Sequence, residues 1–215
     1  MDGGTTGGGV TAATASVAED APVDGRTARA RRTREAIVEA CVALINQGDV
    51  RPTAPRIAQE AGVSVRSVFQ HFDDLEALFT MVAERAVEQV ADLLRPIAPE
   101  LSFDERLDAL VAQRAQLLEA ITPVRRAGAV HGPMSPAIRS KVQAGHEFFR
   151  AEVEQVFAPE LAAAPAERRE RLLDMVDLAA TWASWDVLRT LDGRSIDEAA
   201  AVVAEMIRAV LGVGR

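Results

Sequence analysis

From Ile37 to Leu211 the apolar residues return every three or four positions, and nowhere do they alternate over the length of a strand. A chain patterned this way buries its apolar surface as packed helices, so the expected fold class is all-α. Ile37, Cys41, Leu44 and Ile45 form the first stripe, with Cys41 as a small core residue and Gly48 as the stop. Thr53 followed by Pro55 starts a short second helix to Ala61, with Thr53 as its cap. Gly62-Val63-Ser64 predicts a turn, and Ser64 caps a third short helix from Val65 to about Phe72. Asp73 or Asp74 caps a fourth, running from Leu75 towards Arg95, where Pro96 and Pro99 are expected to stop it.

Further along, Ser102 with Glu105 and Ser195 with Glu198 have the spacing of capping boxes. Thr122-Pro123 and Ser135-Pro136 each look like a cap followed by proline in the first turn. These signals predict helices over 102–120, 137–157, 166–191 and 195–211, with Gly193 ending the third. No internal repeat interrupts the series.

Composition decides where such a bundle would work. Hydrophobic residues make up 48% and charged residues 26%, the balance of a globular chain rather than a disordered one. The Gly-, Thr- and Ala-rich residues 1–25 have almost no large apolar side chain and are expected to form a disordered tail. They do not have the layout of a signal peptide, and no apolar run reaches membrane-spanning length, so no membrane partner is expected. One cysteine excludes an intrachain disulfide and suits a reducing compartment; the expected location is cytoplasmic.

The net charge of −8 argues at first against nucleic acid, but its distribution does not. Between Arg26 and Phe72 stand eight arginines (26, 29, 31, 32, 34, 51, 56, 66) and four acids (35, 39, 49, 60). This segment therefore carries an excess of four positive charges, and the rest of the chain an excess of twelve negative ones. Such asymmetry suits one face for a polyanion and an acidic body held away from it.

Residues 54–73 have what a helix-turn-helix needs. Ala58 is small where two helices would approach, Gly62 sits where the turn needs a positive φ, and Ile57, Ala61, Val63, Val68 and Phe72 supply a small core. Val65, Arg66, Ser67, Gln70 and His71 are left facing outward. Arginine can bridge guanine O6 and N7, and glutamine can pair with adenine, each worth roughly 1–3 kcal/mol of discrimination.

With its flanks, the run Thr53-Ala54-Pro55-Arg56-Ile57-Ala58-Gln59-Glu60-Ala61-Gly62-Val63-Ser64-Val65-Arg66-Ser67-Val68-Phe69-Gln70-His71-Phe72 resembles the DNA-binding domain of the tetracycline-repressor (TetR) family, and Leu75-Glu76-Ala77-Leu78-Phe79 continues the match. The resemblance covers about residues 30–80. It implies a helix-turn-helix DNA-binding domain over 26–78 and a helical ligand-binding and dimerisation domain over 79–215. It also implies double-stranded DNA, a second copy of the chain and a small-molecule effector as partners, with ligand-released repression as the usual mode. Thr53 and His71 match phosphate-contacting positions, and Arg66, Ser67 and Gln70 match the recognition helix. Ser64 and Val65 stand at that helix's start. Phe69 and Leu75 depart from the family's usual tyrosine and lysine, and neither can donate a hydrogen bond to the DNA backbone. The arginines at 26–34 are expected to compensate along the backbone or in the minor groove.

The stretches Leu172–Leu191 and Ile196–Leu211 are more apolar than one buried stripe requires, which suits a twofold four-helix seam. For the effector pocket, His131, Met134, His146, Phe149, Trp182 and Trp185 are the candidates, and the acidic body favours a cationic or neutral ligand. Three histidines and one cysteine form no metal-ligand spacing, and no nucleophile elbow or phosphate loop is present. No catalytic residue, metal or cofactor is therefore expected, and an enzyme is the weaker reading. A helical dimer that has lost DNA binding is the other alternative, raised by Phe69 and Leu75.

Overall fold

The computed structural model describes residues 25–212, and within them the chain forms ten α-helices and no strand. The expected tail lies outside the described residues except for Gly25, which begins α1 (Gly25–Asn46). The arginine-rich segment therefore belongs to the first helix itself and does not merely lead into it.

Next come α2 (Ala54–Glu60), α3 (Val65–His71) and α4 (Leu75–Val90). Asp74 caps α4, its Oδ1 accepting from the Ala77 amide at 2.8 Å. This helix stops short of the expected Arg95: a 3-10 turn over 91–93 follows, and the Arg95 amide then donates to Gln113 Oε1 at 2.9 Å. The residue before Pro96 is barred from helical geometry, so the chain unwinds ahead of the ring.

After α4 the chain forms α5 (Phe103–His131), α6 (Pro136–Val156), α7 (Ala158–Ala163), α8 (Ala166–Ala179), α9 (Trp182–Asp186) and α10 (Ile196–Leu211). Both capping boxes form as expected. Ser135 caps α6 by accepting from the Ile138 amide at 3.1 Å.

Two expectations are corrected here. Thr122-Pro123 starts no helix, because α5 runs straight through it. Proline removes a single backbone donor, and the Thr122 hydroxyl turns back onto the Leu118 carbonyl at 2.6 Å. The helix predicted over 166–191 is broken at Ala180. Thr181 caps a new start there, with Oγ1 accepting from the Ser184 amide at 3.3 Å, and a π turn over 187–191 completes the segment. The short α7 was not expected, although Pro159 stands in its first turn, where a helix start favours proline.

Two apolar cores result. The first gathers Ile37, Cys41, Ile45, Ile57, Val68, Phe72, Leu78 and Val82 from α1 to α4. The second gathers Leu107, Leu110, Leu117, Val153, Phe157, Val176, Trp185, Val203 and Ile207 from α5 to α10. α4 reaches from one to the other, since Val82 lies in the first and Val90 in the second. The α5–α6 corner also intrudes on the first core, placing Ala127 and Ile138 inside it. The boundary expected after residue 78 falls within a continuous helix and inside the first core, since Leu78, Phe79 and Val82 all belong to it and α4 reaches the second core only at Val90.

Candidate nucleic-acid interface

α2 and α3 are seven residues each, too short to persist alone, and they are held by what lies beneath them. Ile57 and Val68 are fully buried and Phe72 nearly so. Between the two helices Gly62 has φ +65°, the left-handed geometry that the turn requires and that side-chain-bearing residues resist. Ser64 then caps α3, its Oγ accepting from the Ser67 amide at 3.1 Å. Thr53 holds the N-cap position of α2 but its side chain makes no cap hydrogen bond, leaving an exposed hydroxyl at that helix's start. The capping role expected for Thr53 is therefore not realised.

With Val68 turned inward, the opposite side of α3 faces out. Val65, Arg66 and Gln70 are exposed, while Ser67 and His71 are half-buried. Phe69 is 50% exposed beside them, an apolar ring on a polar face. Leu75 packs against the head core instead of reaching outward. The exposed set offers a guanidinium, a carboxamide and a hydroxyl from one short helix, the donor and acceptor types that read base edges. Outside the helix, Arg56 is held by Asp49 at 2.5 Å.

Arg34 departs from the role expected of the arginine arm. Its guanidinium lies 4.4 Å from the centre of the Phe72 ring, and it donates to the His71 carbonyl at 2.5 Å and to Met81 Sδ at 2.9 Å. It pins α1 to the far end of α3 instead of reaching away from the protein. Arg29, Arg31 and Arg32 stay exposed along α1, where Arg31 pairs loosely with Glu35 at 3.8 Å. Cys41 is buried, and burial together with the Asp49 charge pushes its thiol up to about 12, so it is inert.

The six residues expected around an effector do not converge on one cavity. Met134 is 70% exposed in the α5–α6 connection. His131 stacks on Phe79 with ring centres 4.2 Å apart, its Nε2 lies 3.2 Å from the Val50 carbonyl, and burial lowers its pKa. It thus ties α5 to the head. His146 is exposed, 3.5 Å from Asp177. Trp185 is buried and donates to Glu119 at 2.7 Å. Phe149 and Trp182 pack against the body core around Trp185, and each lies against an arginine that the sequence did not single out: Arg114 is 4.2 Å from the Phe149 ring and Arg125 is 5.2 Å from Trp182. The missed signal was the presence of arginine on an otherwise apolar α5 stripe, Arg114-Leu118-Ile121-Arg125. An open groove of about 410 Å³ runs between α5 and α10, lined by Val111, Ala112, Ala115, Ala200 and Ala204 with Asp108 and Asp197 among its walls. None of the six expected residues lines it.

Among the described residues no group of three or more His, Cys, Asp or Glu side chains could hold a metal, and no helix is long and apolar enough to cross a membrane.

Comparison with known proteins places this geometry. Residues 37–82 match the family model described as bacterial regulatory proteins, tetR family. Solved structures with the same fold include a transcriptional regulator from Rhodococcus sp. Rha1, 17% identical with a TM-score of 0.64, matched over 85% of this chain and 96% of that one. A tetR-family transcriptional regulator from Streptomyces coelicolor is 17% identical with a TM-score of 0.61, over 84% and 79% of the two chains. A TetR transcription regulator from Haloarcula marismortui is 21% identical with a TM-score of 0.56, over 85% and 97%. No curated protein matches the sequence.

Proposed function

We propose, from the match of residues 37–82 to the model of the tetR family of bacterial regulatory proteins, that the protein is a ligand-released repressor acting as a homodimer on a palindromic operator. The observation that carries the reading is the capped α3, which turns Arg66 and Gln70 outward on a buried Val68. In this assignment residues 26–78 bind DNA and residues 79–215 bind the effector and the second copy. Arg66, Ser67 and Gln70 read base edges from the major groove, with Val65 against a thymine methyl. Thr53, Ser64 and His71 hold phosphates and set the register.

Exposed apolar side chains on the last helices support the dimer. Met175 and Leu178 on α8, Leu191 after α9, and Met206 on α10 all face away from their own core. A second copy packed there would bury them and place two α3 helices on half-sites about one helical turn apart or a multiple of it.

Release works as a population shift. The effector binds better to a body conformation whose two heads are wrongly spaced for the operator, so binding and release are linked. A 100-fold loss of operator affinity needs about 2.7 kcal/mol of differential effector binding. The structure supplies two routes between body and head: α4 itself, and the α5–α6 corner. At that corner Ser135 donates to Glu76 at 2.5 Å, and Lys141 pairs with Glu84 at 2.8 Å.

Selection of bound duplexes from random DNA, followed by anisotropy titrations of the winner, tests the proposal. A palindromic site is expected, with affinity falling as salt rises. Arg66→Ala should weaken that site by roughly 10- to 100-fold without loosening binding to random DNA to the same degree. Equal affinity for selected and random DNA, or a strictly monomeric chain by light scattering, would remove the repressor reading.

A further inference from the structure

The inner stripe of α6 runs Ile138, Val142, Gly145, Phe149, Val153 and Val156, spaced for one helix face. Ile138 belongs to the head core and Val142 packs against it, while Val153 and Val156 belong to the body core and Phe149 packs against that one. Gly145 stands between them on the stripe and is half-buried. A Cβ at this inward position would meet no neighbouring atom within 4 Å. The stripe therefore opens onto unfilled, partly solvent-accessible space between the two cores.

α5 runs antiparallel along this gap. Gln113 donates to Glu152 at 2.7 Å on one side, and a Cβ at Gly128 would lie 4.0 Å from Val142 on the other. Counting residues between those two contacts puts Gly145 level with the turn from Ile121 to Arg125. The facing α5 stripe is Arg114, Leu118, Ile121, Arg125 and Gly128. Both arginines on it are under-partnered.

Arg114 is only 3% exposed. Its Nη2 pairs with Glu152 at 2.8 Å and donates to the Phe149 carbonyl at 3.2 Å, but Nε and Nη1 are buried with no hydrogen-bond partner. Arg125 is half-buried over Trp182, its Nε is also buried without a partner, and among the described residues no carboxylate pairs with it. Burial alone lowers its pKa. A buried donor left unpaired costs about 1–3 kcal/mol, so such groups are ordinarily satisfied by something. The other buried cation of the body, Arg106, is fully occupied: it donates to the Val156 and Leu101 carbonyls and to both oxygens of Glu160. The contrast marks Arg125 as a donor awaiting an acceptor, while beside the free donors of Arg114 the buried Glu152 Oε2 also lacks a hydrogen-bond partner.

We infer that the gap at Gly145 takes an effector that is an apolar acid, its carboxylate or phosphate held by Arg125 and its aromatic or aliphatic part set between Ile121, Phe149 and Trp182. Arg114, already paired with Glu152, supplies further N–H donors to a polar atom at the far end. The local field at the gap thus opposes the net acidity of the chain. Because the gap lies between the two cores, filling it moves α6 relative to α5, and with α6 the corner that penetrates the head. This inference rests on the reading of the body as an effector-binding domain.

Calorimetric titration of the full chain with 4-phenylbutyrate, 4-phenylbutyramide and 4-phenylbutylamine tests it, with circular dichroism melts on every variant. The acid is expected to bind at least roughly ten-fold more tightly than the amide or the amine. Arg125→Gln should bring the acid down to the level of the amide, and Arg125→Lys should recover part of the loss. Gly145→Ala should raise the melting temperature, since alanine favours a helix and clashes with nothing, yet weaken binding of the acid; Gly145→Leu should abolish binding of all three. A residue with a merely structural role would show the first effect without the second. Binding of the amide or amine as tight as that of the acid, but still lost in Gly145→Leu, would overturn the acidic class and leave the effector reading standing. Failure of all three probes at about 1 mM, in a chain that still binds its selected operator, would overturn both.

Discussion

The head and the body use arginine in opposite ways. In the head, Arg34 is spent on the interior: it covers Phe72 and takes up the His71 carbonyl and Met81 sulfur, while Arg66 is left fully outside. In the body, Arg114 is buried and Arg125 half-buried, and both keep donors unpaired. A reading platform needs a fixed interior beneath an open surface. An effector-binding body, as proposed above, needs an interior that a second molecule can complete. The head core buries Ile37, Ile57 and Val68 completely, whereas a Cβ at half-buried Gly145 on α6 would meet no neighbouring atom within 4 Å.

The largest test of the comparison is Phe72→Ala. This ring closes the head core and supports Arg34, so its loss should cost about 3–5 kcal/mol, read as a lowered denaturant midpoint. If the head is separately packed, the far-ultraviolet signal should be lost in two steps, with helices of the body surviving the first; one cooperative step would show that α4 and the α5–α6 corner fuse the two cores.

Next in size is Arg34→Ala, expected to lower stability by about 1–3 kcal/mol through the lost charge-assisted bonds. Because this guanidinium points inward, the slope of log operator affinity against log salt should stay unchanged. A slope reduced by about one would mean that Arg34 neutralises a phosphate and that the inward geometry is not the one that binds DNA.

Ser64→Ala removes the cap of α3 and should cost about 1 kcal/mol in the urea midpoint, while Ser64→Asp should retain the cap and weaken operator binding by repulsion of the phosphates. The smallest effect concerns His131, which joins the two regions. Burial lowers its pKa, so the folded protein prefers the neutral ring. The stability this residue contributes is therefore present above 6.5, the ordinary imidazole value, and is lost as pH falls below it and the unfolded chain takes up the proton first. A melt series from pH 8 to pH 5 should decline less steeply in His131→Gln than in the parent; parallel curves would show that the stack on Phe79 is indifferent to charge.

Most of the helical pattern was readable along the chain because its causes are local. The Ser64, Asp74, Ser102, Ser135 and Ser195 caps each join a side chain to an amide three residues on, and the Gly62 turn depends on one residue's backbone freedom. The outward face of α3 followed from the same spacing. Local signals misled where tertiary packing overrode them. Pro123 stays inside α5 because that helix is gripped along its length by both cores, and the segment 166–191 breaks at Ala180 although its residues favour continuation. The direction taken by Arg34 depends on a ring 38 positions away, and the unpaired donors of Arg114 and Arg125 depend on which residue of α6 lies opposite. Spacing within a helix determines which side chains share a face; only the approach of a second helix decides whether the place opposite a charge is an acid, a ring or an empty position.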